Sequence, residues 1–205
     1  MNIDFIFQIA ILIMSVVIHE VAHGYAALAL GDVTAKYAGR LTLNPIKHLD
    51  PFGSVILPLI MSMIPGGIML AWAKPVPYNP YNLRNKRWGE LLVAIAGPIS
   101  NVLIAILVGL AIRVAIFTGF SGPALTLAVI TVIMNLYLAF FNMIPIPPLD
   151  GSKVLMGLFP KIAPKLNQLI GISGIIIILL VISVFPNIVV PAVIFFAQLL
   201  TGISL

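Results

Sequence analysis

Residues 5–30 form an apolar run interrupted by a single charged side chain, Glu20. As a helix, at about 1.5 Å per residue, the run covers about 39 Å, more than the roughly 30 Å hydrocarbon core of a bilayer. Four further apolar stretches follow, at 52–72, 88–118, 124–144 and 166–205. The chain is 61% hydrophobic and 8% charged, whereas a soluble domain is about half apolar and about a quarter charged. A core built from 205 residues cannot hide that much apolar surface, so lipid has to be the solvent for much of it. The expected fold is an all-α polytopic membrane protein with about five to six membrane-embedded segments. It reads as a single domain, 1–205, with a core at 5–160 and C-terminal membrane segments at 166–205.

The charges set the topology. Ten of the eleven Lys and Arg residues lie in three loops, 31–51, 74–87 and 151–165, and Arg113 is the exception. The positive-inside rule places these loops in the cytoplasm and the N-terminus outside. Segment 52–72 then has a cytoplasmic loop at each end, so it enters and returns, with Pro65-Gly66-Gly67 as the reversal point. Such non-helical backbone survives at depth only where protein or a watery cavity satisfies it. A full crossing, with one basic loop outside, is the competing topology. Pro186-Asn187 and Pro191 split 166–205 into two short spans, or into one span and an interfacial helix.

Several classes are excluded. The net charge of +5 is no nucleic-acid footprint, because the basic residues form neither a helix face nor an aromatic-interleaved patch. The absence of cysteine rules out disulfides, thiolate catalysis and cysteine-ligated zinc. The first run has no basic n-region and no small-residue cleavage site, so it is retained structure and not a signal peptide.

Within that run stands His19-Glu20-Val21-Ala22-His23. The two histidines are four residues apart, about 40° around a helix, so both imidazoles project from one face and can bind one ion. In helices of this pattern the glutamate is the general base acting on water at the metal. Ionisable groups deep in a span cost about 2.5–3.5 kcal/mol each and usually mark function. That cost makes the metal reading far stronger here than in a soluble chain. A catalytic zinc takes three protein ligands, so a third must come from elsewhere. The remaining candidates are His48, Asp4, Asp32, Asp50, Glu90 and Asp150. Asp150 follows a clean span in a proline-broken segment and is the best of them, although Asp-Gly is also a common turn pair.

Two further elements accompany this pattern: Gly97-Pro98-Ile99-Ser100-Asn101 in the third apolar segment, and Asn142-x-x-Pro145-x-Pro147-x-Leu149-Asp150-Gly151 at the end of the fourth. With all three in this order, the chain resembles the site-2 protease family of intramembrane zinc metalloproteases, in a short form without PDZ or regulatory domains. The resemblance implies that His19, His23 and Asp150 bind one Zn²⁺ and that Glu20 activates water. It implies that Asn142 holds the substrate or its oxyanion, a role suited to an amide. It implies a zinc metalloendopeptidase of regulated intramembrane proteolysis, in the cell membrane, cutting transmembrane proteins near the cytoplasmic side. Gly97, Pro98 and Asn101 read as close helix packing with a polar contact, and Pro145, Pro147 and Gly151 as structural parts of their motif.

The other polar residues carry weaker readings. His48 and Asp50 are loop residues. Arg113 snorkels to the outer interface. Trp72, Lys74, Pro75 and Pro77 either follow a strand that pairs with an unwound substrate or form an interfacial aromatic and a snorkelling lysine. Two rival functions remain, a membrane zinc transporter and a non-catalytic protein that binds transmembrane helices. The transporter needs a path of further ligands, and the second is disfavoured by the presence of Glu20 with all three candidate ligands.

Overall fold

The computed structural model describes residues 3–50, 74–85, 88–168, 187 and 189–205. Segment 52–72, where re-entry is expected, lies outside the described residues, as does 169–186. Every regular element among the described residues is helical: α1 (Ile3–Ala29), α2 (Thr34–Tyr37), α3 (Trp88–Phe117), α4 (Pro123–Asn142), α5 (Asp150–Leu158) and α6 (Ala163–Asn167), with a last apolar helix α7 (Val189–Thr201). Short 3-10 turns sit at Pro45–Lys47, Pro80–Asn82 and Pro160–Ile162. Three helices, α1, α3 and α4, are long and apolar enough to cross a bilayer. They match the first, third and fourth apolar runs. The described part of α7, with Pro191 near its start, is shorter than these three.

Helix α3 is the centre of the bundle and packs on α1, α4 and α5. Lipid tails are as apolar as leucine, so contact between spans depends on close approach and on polar contacts more than on burying apolar area. The main cluster, Ala105, Ile112, Val132, Leu136, Val189, Val193 and Ala197, fits that rule. Ala105 of α3 and Ala197 of α7 are small and fully buried in that cluster. At Gly109 a Cβ would stand 2.8 Å from Leu200 Cβ. Arg113 is exposed, as a snorkelling side chain would be, but its guanidinium is committed: Nε donates to Leu200 O at 2.8 Å and a terminal nitrogen to Leu199 O. The cation satisfies carbonyls left open at the end of α7, where a positive charge also suits the helix dipole.

The end of α1 is closed by Gly31, at φ 106°. Gly31 N donates to Leu28 O and Asp32 N to Ala27 O, the paired bonds of a Schellman cap. The cap delivers Asp32 into full burial. Asp32 Oδ1 accepts from Thr34 N, Thr34 Oγ1 and Asn82 Nδ2, and Oδ2 accepts from Asn79 N at 2.7 Å. One carboxylate thus fastens the 74–85 segment to the end of α1. In sequence Asp32 stands among the candidate third ligands; in the structure it lies at the end of α1, apart from the His19–His23–Asp150 group.

Burial alone would raise the Asp32 carboxyl, but the hydrogen bonds from Thr34, Asn82 and Asn79 outweigh it and hold the group below its ordinary value. A depressed folded-state value means that Asp32 contributes stability above the unfolded value of about 3.9, and that the contribution fades as pH falls through the folded value. Replacing Asp32 with alanine should lower stability by about 2–3 kcal/mol, since hydrogen bonds to a charged group are worth about 1.5–3 kcal/mol. Unfolding in detergent at neutral pH checks this. The gap between wild type and variant should narrow below about pH 4.

Candidate metal centre

Three side chains from two distant stretches meet inside the bundle. His19 and His23 project from one face of α1, and Asp150 is the first residue of α5. All three are buried. His19 Nε2 lies 3.1 Å from Asp150 Oδ2, His23 Nε2 3.2 Å from the same oxygen, and the two Nε2 atoms 3.1 Å from each other.

The local sequence explains how Asp150 arrives. Helix α4 stops at Asn142 because Pro145, Pro147 and Pro148 supply no N–H and clash with a preceding turn. The chain folds back, and Ser152 N and Ser152 Oγ both bond Leu149 O at the start of α5. Gly151 permits the return: a Cβ there would overlap the carbonyl oxygens of Met143 and Ile144. Gly97 has the same role on α3, where a Cβ would overlap His23 Nε2 and His19 Nε2. The space over the imidazoles exists because residue 97 has no side chain.

Hydrogen bonds fix which nitrogen of each ring carries the proton. His23 Nδ1 lies 2.7 Å from Val93 O, which can only accept, so Nδ1 is protonated and Nε2 presents its lone pair. The tautomer of His19 follows from a longer chain. Asn135 Nδ2 donates to Thr131 O and to Ser15 Oγ. The backbone carbonyl sets the orientation of that amide, so Asn135 Oδ1 is free to accept from Asn101 Nδ2 at 2.8 Å. Asn101 Oδ1 must then face His19 Nδ1, at 2.6 Å, and His19 Nδ1 is the donor. Both Nε2 lone pairs and a carboxylate oxygen therefore point at one another.

Three acceptors at such spacing repel unless a cation lies among them. An ion with bonds of about 2.0–2.1 Å to nitrogen and oxygen separates tetrahedral ligand atoms by about 3.3 Å, close to the spacing observed. Neutral imidazoles and a carboxylate, with the second ring nitrogens held by oxygen, form a donor set suited to zinc. Among the described residues this is the one group of three such side chains that converges.

The donor set opens into a cavity of about 380 Å³ that is also lined by Glu20, Asn142, Val76, Tyr78 and Lys153. Glu20 Oε2 accepts from Val76 N at 2.8 Å. Asn142 Nδ2 donates to Leu138 O at 2.9 Å, one turn back in its own helix. Lys153, one turn after Asp150, stands over the Tyr78 ring with Nζ 5.3 Å from its centroid. Pro98 is buried within α3. His48 is buried too, but it bonds Thr42 O at 2.8 Å and takes no part in the cluster.

All the acid, histidine and amide residues singled out for chemistry thus line one cavity. Asn101 departs from the packing reading in one respect, because its polar partner is a candidate ligand. Ser15, Asn135, Tyr78 and Lys153 join the site or its relay without belonging to any of the three sequence motifs. Asn135 had a usable signal, as a lone amide in an uncharged span, where polar groups are costly and rarely idle.

The sequence is similar to those of known proteins. The sequence profile described as Peptidase family M50 matches residues 7–121 and 118–185. Among relatives, "Putative zinc metalloprotease YwhC" of Bacillus subtilis is 37% identical over 179 residues, covering 84% of this chain and 78% of the relative. "Putative zinc metalloprotease Rip2" of Mycobacterium tuberculosis is 29% identical over 164 residues, covering 80% of this chain and 60% of the relative. No solved structure matches significantly.

The amide relay generates a test. Outer partners of metal-binding histidines are worth about 10–100-fold in affinity. Asn101→Leu should therefore weaken divalent-metal binding by about that factor while leaving His19, His23 and Asp150 in place. Asn135→Leu should act in the same direction. Competition against a chromophoric chelator measures both.

Proposed function

The chain belongs to peptidase family M50, and from that premise we propose that it is an intramembrane zinc-dependent endopeptidase that hydrolyses peptide bonds of transmembrane proteins. The observation that carries the proposal is the approach of His19, His23 and Asp150 to within 3.2 Å of one another, in one cavity with an unligated acid, Glu20.

In this reading His19, His23 and Asp150 hold Zn²⁺. When bound, the ion supplies a Lewis acid that polarises the scissile carbonyl and makes a nearby water more acidic. Glu20 takes a proton from water as the water oxygen bonds to the carbonyl carbon. It returns that proton to the amine nitrogen as the C–N bond breaks. Asn101 and Val93 O keep the imidazole protons on the far nitrogens, so both rings stay oriented throughout. Asn142, on the cavity wall, holds the substrate or its oxyanion. The non-helical 74–79 segment lines the same cavity, which suits an unwound substrate better than a helical one, whose amides are shielded.

The finer placement belongs to the same proposal. The fold is a single domain of about five to six membrane-embedded segments, with 52–72 re-entrant. The C-terminal end of α1, the N-terminal end of α3 and the C-terminal end of α4 share the side that carries the basic loops. That side is cytoplasmic by the positive-inside rule, in the cell membrane, and the polar loops 31–51 and 74–87 admit water. Transport would call for further ligands along a path, and no second convergent group is present among the described residues.

Cleavage of a labelled transmembrane peptide in detergent tests the proposal. Glu20→Gln should lower kcat/KM by at least about 100-fold, the usual scale for loss of a general base, with zinc content retained. Asp150→Ala should lose most of the zinc as well as activity. Chelation should abolish cleavage and added Zn²⁺ restore it. Cleavage that persists in Glu20→Gln, or that ignores chelator, would sink the assignment.

A further inference from the structure

The segment 74–79, Lys74-Pro75-Val76-Pro77-Tyr78-Asn79, is an extended strap laid across α1. Its backbone is pinned at three points. Lys74 N donates to His48 O at 2.8 Å, Val76 N to Glu20 Oε2 at 2.8 Å, and Asn79 N to Asp32 Oδ2 at 2.7 Å. Between these anchors stand Pro75 and Pro77, which have no N–H and whose rings fix φ near −65°. The strap therefore has little freedom to move its middle residue.

The packing beneath it is equally specific. Val76 is buried, whereas Pro75 and Pro77 are exposed. Glu20 and Gly24 lie four residues apart on one face of α1. At Gly24 a Cβ would stand 2.8 Å from Val76 Cγ1 and 2.6 Å from Leu41 Cδ2. The missing side chain at 24 lets Val76 sit down on the helix, and that contact brings its N–H to the carboxylate one turn earlier. Among the described residues no donor other than Val76 N reaches Glu20.

A free glutamate has several rotamers, and ordering such a side chain costs about 1.5–2 kcal/mol. A base must be held within hydrogen-bond reach of its proton. We infer that the Val76 backbone N–H is a positioning group for Glu20: it fixes one carboxylate oxygen and leaves the other for proton transfer. The strap is then part of the proton-transfer apparatus as well as a wall of the cavity. This rests on the endopeptidase reading above. The alternative is that the bond locks Glu20 in a resting state and must break before turnover, which predicts the opposite sign.

The experiment removes one hydrogen-bond donor by replacing a backbone N–H with an ester oxygen. In the full-length protein, Val76 is replaced by its α-hydroxy acid analogue through nonsense suppression, turning the 75–76 amide into an ester and keeping the side chain. The same change at Asn79 removes the strap's bond to Asp32 and none to Glu20. Peptide cleavage, zinc content and thermal unfolding are measured for each. The ester at 76 should lower kcat by about 10- to 100-fold, the scale of a small misplacement of a catalytic group, with KM and zinc content unchanged. The ester at 79 should lower the unfolding temperature instead. In a Glu20→Asp background, whose shorter side chain cannot reach Val76 N, the ester at 76 should add no further loss. An unchanged or raised kcat at 76, an equal loss in the Glu20→Asp background, or a loss of zinc would overturn the inference while the endopeptidase reading stands. Absence of cleavage by the unmodified protein would instead remove the reading on which it rests.

Discussion

Three electron-rich atoms, two imidazole nitrogens and one carboxylate oxygen, are held about 3.1–3.2 Å apart in a protein whose solvent is largely lipid. All three side chains are buried, so bulk water screens that repulsion poorly. The arrangement is stable when a cation completes it, so ion and fold support each other: binding free energy at a structured site is also folding free energy. Much of the neighbouring architecture follows from keeping this gap open and its donors aimed. Gly97 leaves the space, Gly151 lets the carboxylate come back to it, and the bonds at each Nδ1 keep the lone pairs facing inward.

The relay Thr131–Asn135–Asn101–His19 shows how lipid changes the use of polar side chains. An unpaired amide in a bilayer costs several kcal/mol, so each amide here must be fully engaged. Because Thr131 O can only accept, the orientation of every later member is forced, and the forcing ends on the tautomer of a candidate ligand. The relay also joins α4, α3 and α1 through side chains alone. It therefore acts both as an interhelical contact and as an orienting device. Polar glue between spans and ligand orientation are one set of bonds here.

The spans and the cluster were legible in sequence for a common reason. Apolar length and intramembrane charge are both expensive to misplace, so each leaves a strong pattern. Helix ends at Ala29, Phe117 and Asn142 came within about two residues of the runs read from hydropathy, as boundaries usually do. The His19–Glu20–His23 spacing carried its own geometry, and Asp150 could be chosen because so few acids were available. The parts that stayed hidden depend on partners far away in sequence. Nothing near Asp32 signals that it will receive Asn79 and Asn82. Nothing near Arg113 signals that the end of α7 will come to it. The bond from Val76 to Glu20 uses a backbone N–H, which every residue type but proline possesses, so no side-chain pattern can announce it.

The prolines around the site have a physical reason that composition did not reveal. His19 lies ten residues before Ala29, about 15 Å along the helix, so the His19–His23–Asp150 cluster sits well inside the bundle. Two non-helical stretches reach that depth, 74–79 and 143–149, and non-helical backbone there must account for each of its donors. In 143–149 the accounting closes. Met143, Ile144, Ile146 and Leu149 donate to Ala139, Phe141, Ile144 and Ile146 carbonyls, and the other three residues are Pro145, Pro147 and Pro148. In 74–79, Lys74, Val76 and Asn79 are bonded, and Pro75 and Pro77 have nothing to donate. A reactive site away from bulk water needs irregular backbone to shape it, and irregular backbone in lipid needs fewer N–H groups. Proline supplies the second condition wherever the first applies, which is why both walls of the cavity are proline-rich while the helices that carry the imidazoles and the amide relay hold at most one buried proline each.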